Sequence, residues 1–216
     1  MNNTGISVIN ISKSFKNQKV LENINVDFKP RKIHGIIGRN GSGKTVLLKC
    51  LCGLLPVDSG KITINGLEVG KDMDMPEDIG VIIETPGFLP HYSGLKNLTL
   101  LSGIRNRITT EQVIKVMESV GLDPYEKKGV GKYSLGMKQR LGIAQAVMEE
   151  PSILILDEPM NGLDNNGVED MRNFLLSYKE TGKTVILASH IREDIEYLCD
   201  TVLTLDNGQI KKFVQK

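Results

Sequence analysis

Eight residues constrain this chain more than any others: Gly38-Arg-Asn-Gly-Ser-Gly-Lys-Thr45, set between the run Ile33 to Ile37, apolar except for His34, and a stretch whose leucines recur at helical spacing. The pattern G-x-x-x-x-G-K-[ST] carries meaning only between a strand and a helix, and both are predicted here. Gly38, Gly41 and Gly43 let successive backbone N–H groups turn inward as an anion nest at a helix N-terminus, where the macrodipole adds positive potential. Lys44 reaches the β- and γ-phosphates, and the Thr45 hydroxyl is a ligand for Mg²⁺. Arg39, Asn40 and Ser42 fill the variable places of the loop, and Val46 follows it. The loop predicts that a nucleoside triphosphate binds.

Two acidic strand ends stand elsewhere in the chain. In Ile153-Leu-Ile-Leu-Asp-Glu-Pro159 an apolar strand, fit to be buried on both faces, ends in two carboxylates. Such a strand brings its C-terminal tip to the ligand crevice of a doubly wound sheet. Asp157 there can hold Mg²⁺ through water, and Glu158 is free to polarise an attacking water. His190 ends a further strand, Thr184-Val-Ile-Leu-Ala-Ser-His190, within reach of a γ-phosphate; a structural role for this histidine stays open at the level of the residues alone. The second acidic end is Glu84, at the tip of a short apolar run, Ile79 to Ile83, halted by Pro86-Gly87. A lone acid at a strand tip reads either as a solvated edge or as a working carboxylate.

Around these motifs the chain divides by pattern. Residues 1 to about 85 are β-rich, with strands at Ile6 to Ile11, Val20 to Phe28 and Lys61 to Ile64 and turn signals at Lys16-Asn17 and Asn65-Gly66. A helix is predicted from Lys44 to Leu55, stopped by Pro56. From Gly87 to Glu150 the character is helical. Thr109 and Gln112 form a capping box, followed by the stripe Val113, Val116, Met117, Val120 and the C-cap Gly121. A second helix is predicted from about Gly136 to Met148. After Pro151 strands and helices alternate again, with a helix over Gly167 to Tyr178 and a closing hairpin joined at Asn207-Gly208.

With 216 residues the chain can form one sizeable domain carrying a subdomain. Its 27 basic and 26 acidic residues, evenly mixed, argue against a nucleic-acid partner. The longest apolar runs are too short to span a bilayer, and the N-terminus, MNNTGISVIN, lacks the pattern of a signal peptide. Cys50, Cys52 and Cys199 read as small core residues in a reducing compartment, so the chain is expected in the cytoplasm.

Together with Tyr133-Ser-Leu-Gly-Met-Lys-Gln-Arg140, these motifs resemble the ATP-binding subunit of ABC transporters over nearly the whole chain. The family pattern is L-S-G-G-Q before a helix; Ser134 and Gly136 match it, whereas Tyr133, Leu135 and Met137 depart. The resemblance implies an α/β P-loop NTPase (RecA-like) core with an antiparallel β subdomain, formed by residues 1–86 and 151–216, and an inserted α-helical subdomain, residues 87–150. It implies ATP and Mg²⁺ as ligands, with Thr45, Glu84 and Asp157 toward the metal and Glu158 and His190 in catalysis. Phe15 takes the place of an aromatic that stacks on adenine, commonly Tyr in the family. Ser134, as an N-cap, and Gly136 form an anion site for the γ-phosphate held by an opposite protomer, so that two ATP molecules lie in a head-to-tail dimer. Asn161-Gly-Leu-Asp164 resembles the loop that crosses that interface. Val46 replaces a usual hydroxyl residue, removing one side-chain contact near the α-phosphate.

Glu84 falls at the family's glutamine-loop position, which senses the metal and links to the membrane subunit. Glutamate there, followed by Thr85-Pro-Gly-Phe-Leu-Pro90, is similar to ATPases of bacitracin and lantibiotic export and immunity transporters. The implied function is an ATPase, peripheral at the inner face of the membrane, that drives a separately encoded permease. A soluble ABC ATPase in assembly, for instance of iron–sulfur clusters, shares every ATP motif and is the alternative. A regulatory module without hydrolysis would lack Glu158 or His190, and both are present.

Overall fold

The computed structural model describes residues 5–16 and 18–216. The first four residues of the N-terminal stretch, and Asn17 of the turn signal at Lys16-Asn17, lie outside them. Two sheets carry the chain. The larger has six strands in the order β10-β9-β3-β8-β7-β6. In chain order these are β3 (Ile33–Ile37), β6 (Ile79–Ile82), β7 (Ile153–Asp157), β8 (Thr184–Ser189), β9 (Thr201–Asp206) and β10 (Gln209–Gln215). All neighbours pair in parallel except the hairpin β9–β10. The smaller sheet is antiparallel, in the order β2-β1-β4-β5, from β1 (Ile6–Phe15), β2 (Gln18–Phe28), β4 (Ser59–Ile64) and β5 (Leu67–Glu68).

The central strands read as nearly continuous apolar runs, with His34 of β3 the exception inside one of them, because both of their faces are covered. Side chains alternate between the faces: Leu154 and Leu156 of β7 with Val185 and Leu187 of β8 enter one apolar cluster, while Ile153, Ile155, Ile186 and Ala188 enter the other. The first cluster is closed by helices α2 (Gly94–Arg105), α3 (Thr110–Ser119), α4 (Leu135–Val147), α5 (Asn165–Glu180) and α6 (Arg192–Leu198). Helix α1 (Lys44–Leu51) and the antiparallel sheet close the second. Leu98, Val113 and Met117 pack in the same cluster as Leu154 and Leu156, so the helices after residue 87 share a core with the sheet. Cys50, Cys52 and Cys199 are buried and free.

The capping box at α3 makes both of its reciprocal hydrogen bonds, and Val113, Met117 and Val120 are buried as the stripe predicts. Three expectations are corrected. Helix α1 ends at Leu51, not Leu55: Gly53 adopts φ 76° and its N–H donates to Cys50 O, while Leu54 N–H donates to Lys49 O at 2.9 Å. That pair of bonds closes the helix one turn before Pro56, on the glycine that tolerates the left-handed conformation. Strand β1 continues to Phe15 rather than stopping at Ile11, because bulges absorb Asn10 at φ 51° and restore the pairing with β2 beyond it. Strand β6 ends at Ile82, leaving Ile83 outside. Helices α2 and α6 were not delimited by the sequence pattern at all.

Candidate nucleotide site

The four parallel strands β3, β8, β7 and β6 end on one side of the sheet, and the candidate residues follow their C-terminal tips. The phosphate loop leaves β3 and enters α1. Its geometry demands glycine: a Cβ on Gly38 would lie 2.4 Å from both Leu205 O and Ser42 Oγ. Gly43 has φ 104°, and a Cβ there would meet Val20 O at 2.9 Å. Helix α1 begins with neither a side-chain cap nor an acidic residue in its first turn. Helices α3 and α5, by contrast, are capped by Thr109 and Asp164. The N–H groups opening α1 are therefore unclaimed by side chains and carry the helix's positive end. Ser42 is buried, and its Oγ is the one buried side-chain polar atom among the described residues without a hydrogen-bond partner. A phosphate-sized acceptor fits this donor-rich cradle.

Lys44 is buried and folds back over the loop. Its Nζ donates to Gly38 O at 2.8 Å and to Arg39 O at 3.3 Å, and stands 3.7 Å from Glu158 Oε1. Arg39 and Asn40 are exposed at the tip of the loop, and Val46 is half-buried in the first turn of α1. Thr45 Oγ1 donates to Asp157 Oδ2 at 2.6 Å. A hydroxyl and a carboxylate so placed form an all-oxygen pair suited to Mg²⁺. Burial raises the pKa of Asp157 most; the Thr45 hydrogen bond lowers it, the Glu158 charge raises it, Lys44 lowers it and Glu84 raises it. The carboxylate is thus held in a place that needs positive charge beyond what Lys44 supplies.

Glu158, one residue past β7, has φ 50°, a conformation uncommon for a side-chain-bearing residue. Its N–H donates to Ala188 O at 2.9 Å, tying it to β8. Its carboxylate then spans two cations or potential cations: Oε1 toward Lys44, and Oε2 2.9 Å from His190 Nδ1. Because a carboxylate only accepts, the Nδ1 atom carries the proton in this pair. The His190 backbone N–H reaches the same oxygen at 3.3 Å.

The remaining predicted residues stand apart from this network. Glu84 has φ 61° and a side chain 64% exposed, and it lies not on Thr45 or Asp157 but on Lys49, 2.6 Å from Nζ. Phe15, at the end of β1, is 43% exposed, with Lys13 Nζ 5.7 Å from its ring centroid and held there by Asp58. Ser134 caps α4 by accepting from Met137 N–H at 3.2 Å. A Cβ on Gly136 would lie 3.1 Å from Gly162 O, so the Asn161–Asp164 segment approaches the start of α4 closely. Two of the three departures from the family pattern have local reasons. Tyr133 is buried and its hydroxyl accepts from Gly94 N–H at the start of α2, and Leu135 lies across Gly162.

Two residues escaped the sequence reading. Lys49 meets Glu84 across 35 positions of chain, a pairing no local pattern announces. Gln139, within the Tyr133–Arg140 motif, donates to Pro159 O at 3.1 Å and so ties α4 to the segment after Glu158.

The ABC transporter family model matches residues 21–161. This chain is an ABC-type ATPase. It is 43% identical over 206 residues to the uncharacterized ABC transporter ATP-binding protein YybJ of Bacillus subtilis, covering 95% of this chain and 94% of that one. It is 40% identical over 209 residues to the bacitracin transport ATP-binding protein BcrA of Bacillus licheniformis, covering 96% of this chain and 68% of the other. The lantibiotic transport ATP-binding protein SrtF of Streptococcus pyogenes is 35% identical over 205 residues, covering 95% and 88%. In fold the ATPase is similar to a bacterial ABC transporter cassette solved as a dimer, with TM-score 0.88, 22% identity and coverage of 97% of this chain and 98% of that one. No helix among the described residues is long and apolar enough to cross a membrane.

Proposed function

We propose that this ABC ATPase hydrolyses ATP in a head-to-tail dimer and thereby powers a separately encoded membrane permease that exports a peptide antibiotic. The observation that carries the catalytic part is the placement of Glu158, held between Lys44 and His190 one residue beyond the Thr45–Asp157 pair. Glu158 takes the proton of the attacking water, and His190, 2.9 Å away, keeps its carboxylate aimed. Lys44 leaves the loop carbonyls for the β- and γ-phosphates, joined by the N–H groups of Gly41 to Thr45 and the Ser42 hydroxyl. Thr45 and Asp157 would hold Mg²⁺, with Glu84 as a further oxygen ligand once released from Lys49, and the ion would supply charge neutralisation of the phosphates. Phe15 offers its exposed face to adenine, and Ser134 with Gly136 faces the γ-phosphate of the second protomer.

Residues 87–150 act in this reading as the helical subdomain that docks on the permease, with residues 1–86 and 151–216 as the core at the inner face of the cell membrane. The likeness to BcrA and SrtF, together with Glu84 before Thr85-Pro-Gly-Phe-Leu-Pro90, supports export of a bacitracin- or lantibiotic-type peptide. The test is affinity capture of the tagged protein from solubilised membranes, followed by growth of cells with and without the captured permease in bacitracin and in a lantibiotic. A polytopic partner, and resistance lost with Glu158→Gln, are expected. Capture of soluble assembly proteins alone overturns the export reading. Ser134→Arg tests the dimer: hydrolysis is expected to vanish while ATP binding by the monomer is kept, and weakened monomer binding sinks the sandwich.

A further inference from the structure

Thr45 and Lys49 stand four residues apart on α1 and so share one face of the helix. Each meets an acid that follows a strand of the large sheet, and the two strands, β7 and β6, are neighbours. Thr45 takes Asp157 of β7 at 2.6 Å, and Lys49 takes Glu84 beyond β6 at 2.6 Å. The helix that carries the phosphate loop is therefore laced to two adjacent strand ends by two rungs. The rungs differ in exposure. Asp157 is 8% exposed, whereas the side chains of Lys49 and Glu84 are 27% and 64% exposed.

An ion pair this wet is weak, because water screens it and both chains lose rotamer freedom to keep it. It is also the one charged contact of Glu84 among the described residues. The carboxylate is thus held loosely by a monovalent partner one helical turn, about 6 Å along α1, from the Thr45–Asp157 pair that suits a divalent cation.

We propose that Lys49 is a positioning residue for Glu84: it holds the carboxylate on α1 and yields it when the nucleotide's cation arrives. In one state the segment that leads from β6 into α2 is tied to the phosphate helix, and in the other to the nucleotide. Lys49 thereby sets both the metal affinity of the loaded site and the freedom of residues 84–93. The inference rests on Thr45 and Asp157 as the cation site, as proposed above.

The experiment titrates Mn²⁺ into ADP-loaded protein and follows free Mn²⁺ by electron paramagnetic resonance. Lys49→Met keeps the alkyl stem against the helix and removes the charge. It is expected to tighten Mn²⁺ binding by roughly three- to tenfold, as an uncompensated carboxylate near the cation would. Lys49→Arg is expected to restore wild-type affinity, and Lys49→Met in a Glu84→Gln background to tighten nothing. If Lys49→Met acts equally in both backgrounds, the lysine works as a distant charge and the proposal is overturned; absence of any tightening overturns it too. Thr45→Ala separates the two levels. Weakened Mn²⁺ binding in Thr45→Ala alongside an inert Lys49→Met defeats this inference alone, whereas undiminished binding in Thr45→Ala defeats the cation site and this inference with it.

Discussion

Strands β7 and β6 run side by side in parallel, and their carboxylates meet opposite fates. β7 lies between β8 and β6, while β6 is the edge of the sheet. At the inner tip Asp157 is buried, and Glu158 is fixed by Lys44, His190 and the carbonyl of Ala188. At the edge tip Glu84 stands in water with Lys49. Residue type does not separate them, since glutamate occupies both tips. Position in the sheet does: a covered tip desolvates its acids and forces them into fixed partnerships, whereas an edge tip leaves an acid free to exchange one partner for another.

Four substitutions test this contrast. Glu158→Gln carries the largest expected effect, a fall in turnover of ~10²–10⁴ with ATP binding retained, because the amide keeps the shape but accepts no proton. Light scattering with Mg-ATP is then expected to show a trapped dimer, and full turnover would move the base to His190. Next, Lys44→Ala is expected to weaken ATP binding by roughly 10- to 100-fold, the scale of one charge-assisted contact. Equilibrium binding within threefold of wild type would show that the covered tip does not share its cation with the nucleotide.

Asp157→Asn turns the same burial into a stability effect. Its raised pKa means that the folded state binds the proton more tightly than the unfolded chain, whose value lies near 3.8. Stability of the metal-free protein is therefore fully present below about pH 3.8 and is lost as pH rises through the raised pKa. The neutral amide removes that penalty, and a rise in Tm of about 2–4 °C is expected at neutral pH without nucleotide or metal, the shift that ~1 kcal/mol gives in a chain of this size. Calorimetry decides; a lower Tm would mean that the Asp157 charge is compensated after all. Glu84→Gln is expected to do least, shifting ATP affinity by roughly threefold or less, upward with chelator and downward with Mg²⁺. Equal shifts in both conditions would make Glu84 a solvated tip and nothing more.

The difference between the two tips also marks where the sequence could be read. Everything at β7 was local: an apolar run, two acids and a proline in seven consecutive residues name a buried strand and its end. Strand β3 and its loop were legible for the same reason, as was the capping box at Thr109 and Gln112, where both bonds span three residues. The end of α1 is less legible, because the sequence offers two stops, Gly53 and Pro56, and the glycine at φ 76° is the one that ends the helix. Helix α2 went undelimited despite a Ser93 cap, since its start is fixed partly by the hydroxyl of Tyr133, 39 positions away. Helix α6 spans seven residues, about two turns, too few for periodicity to register. At the edge tip the partner of Glu84 is set by how α1 crosses the sheet, which no spacing encodes. The left-handed backbone of Glu158 was equally hidden, because nothing in Asp-Glu-Pro distinguishes it from an ordinary strand end.

The pairing of β3 has a consequence in time. The strand that launches the phosphate loop, Ile33–Ile37, has hydrogen-bonded neighbours only in β8 and β9, with Ile33 beside Val185 and His34 beside Thr201. A ribosome making 5–20 residues per second therefore spends on the order of ten seconds between delivering the loop and delivering the strands that frame it. During that interval the glycines of the loop have no fixed shape and α1 has no sheet to lie on, although the antiparallel β1–β2 pair can already form. Nucleotide cannot template the early chain. Closing contacts across some 150 residues is slow as well, so the nascent protein must keep the apolar faces of β3 and α1 from other chains until its last third arrives.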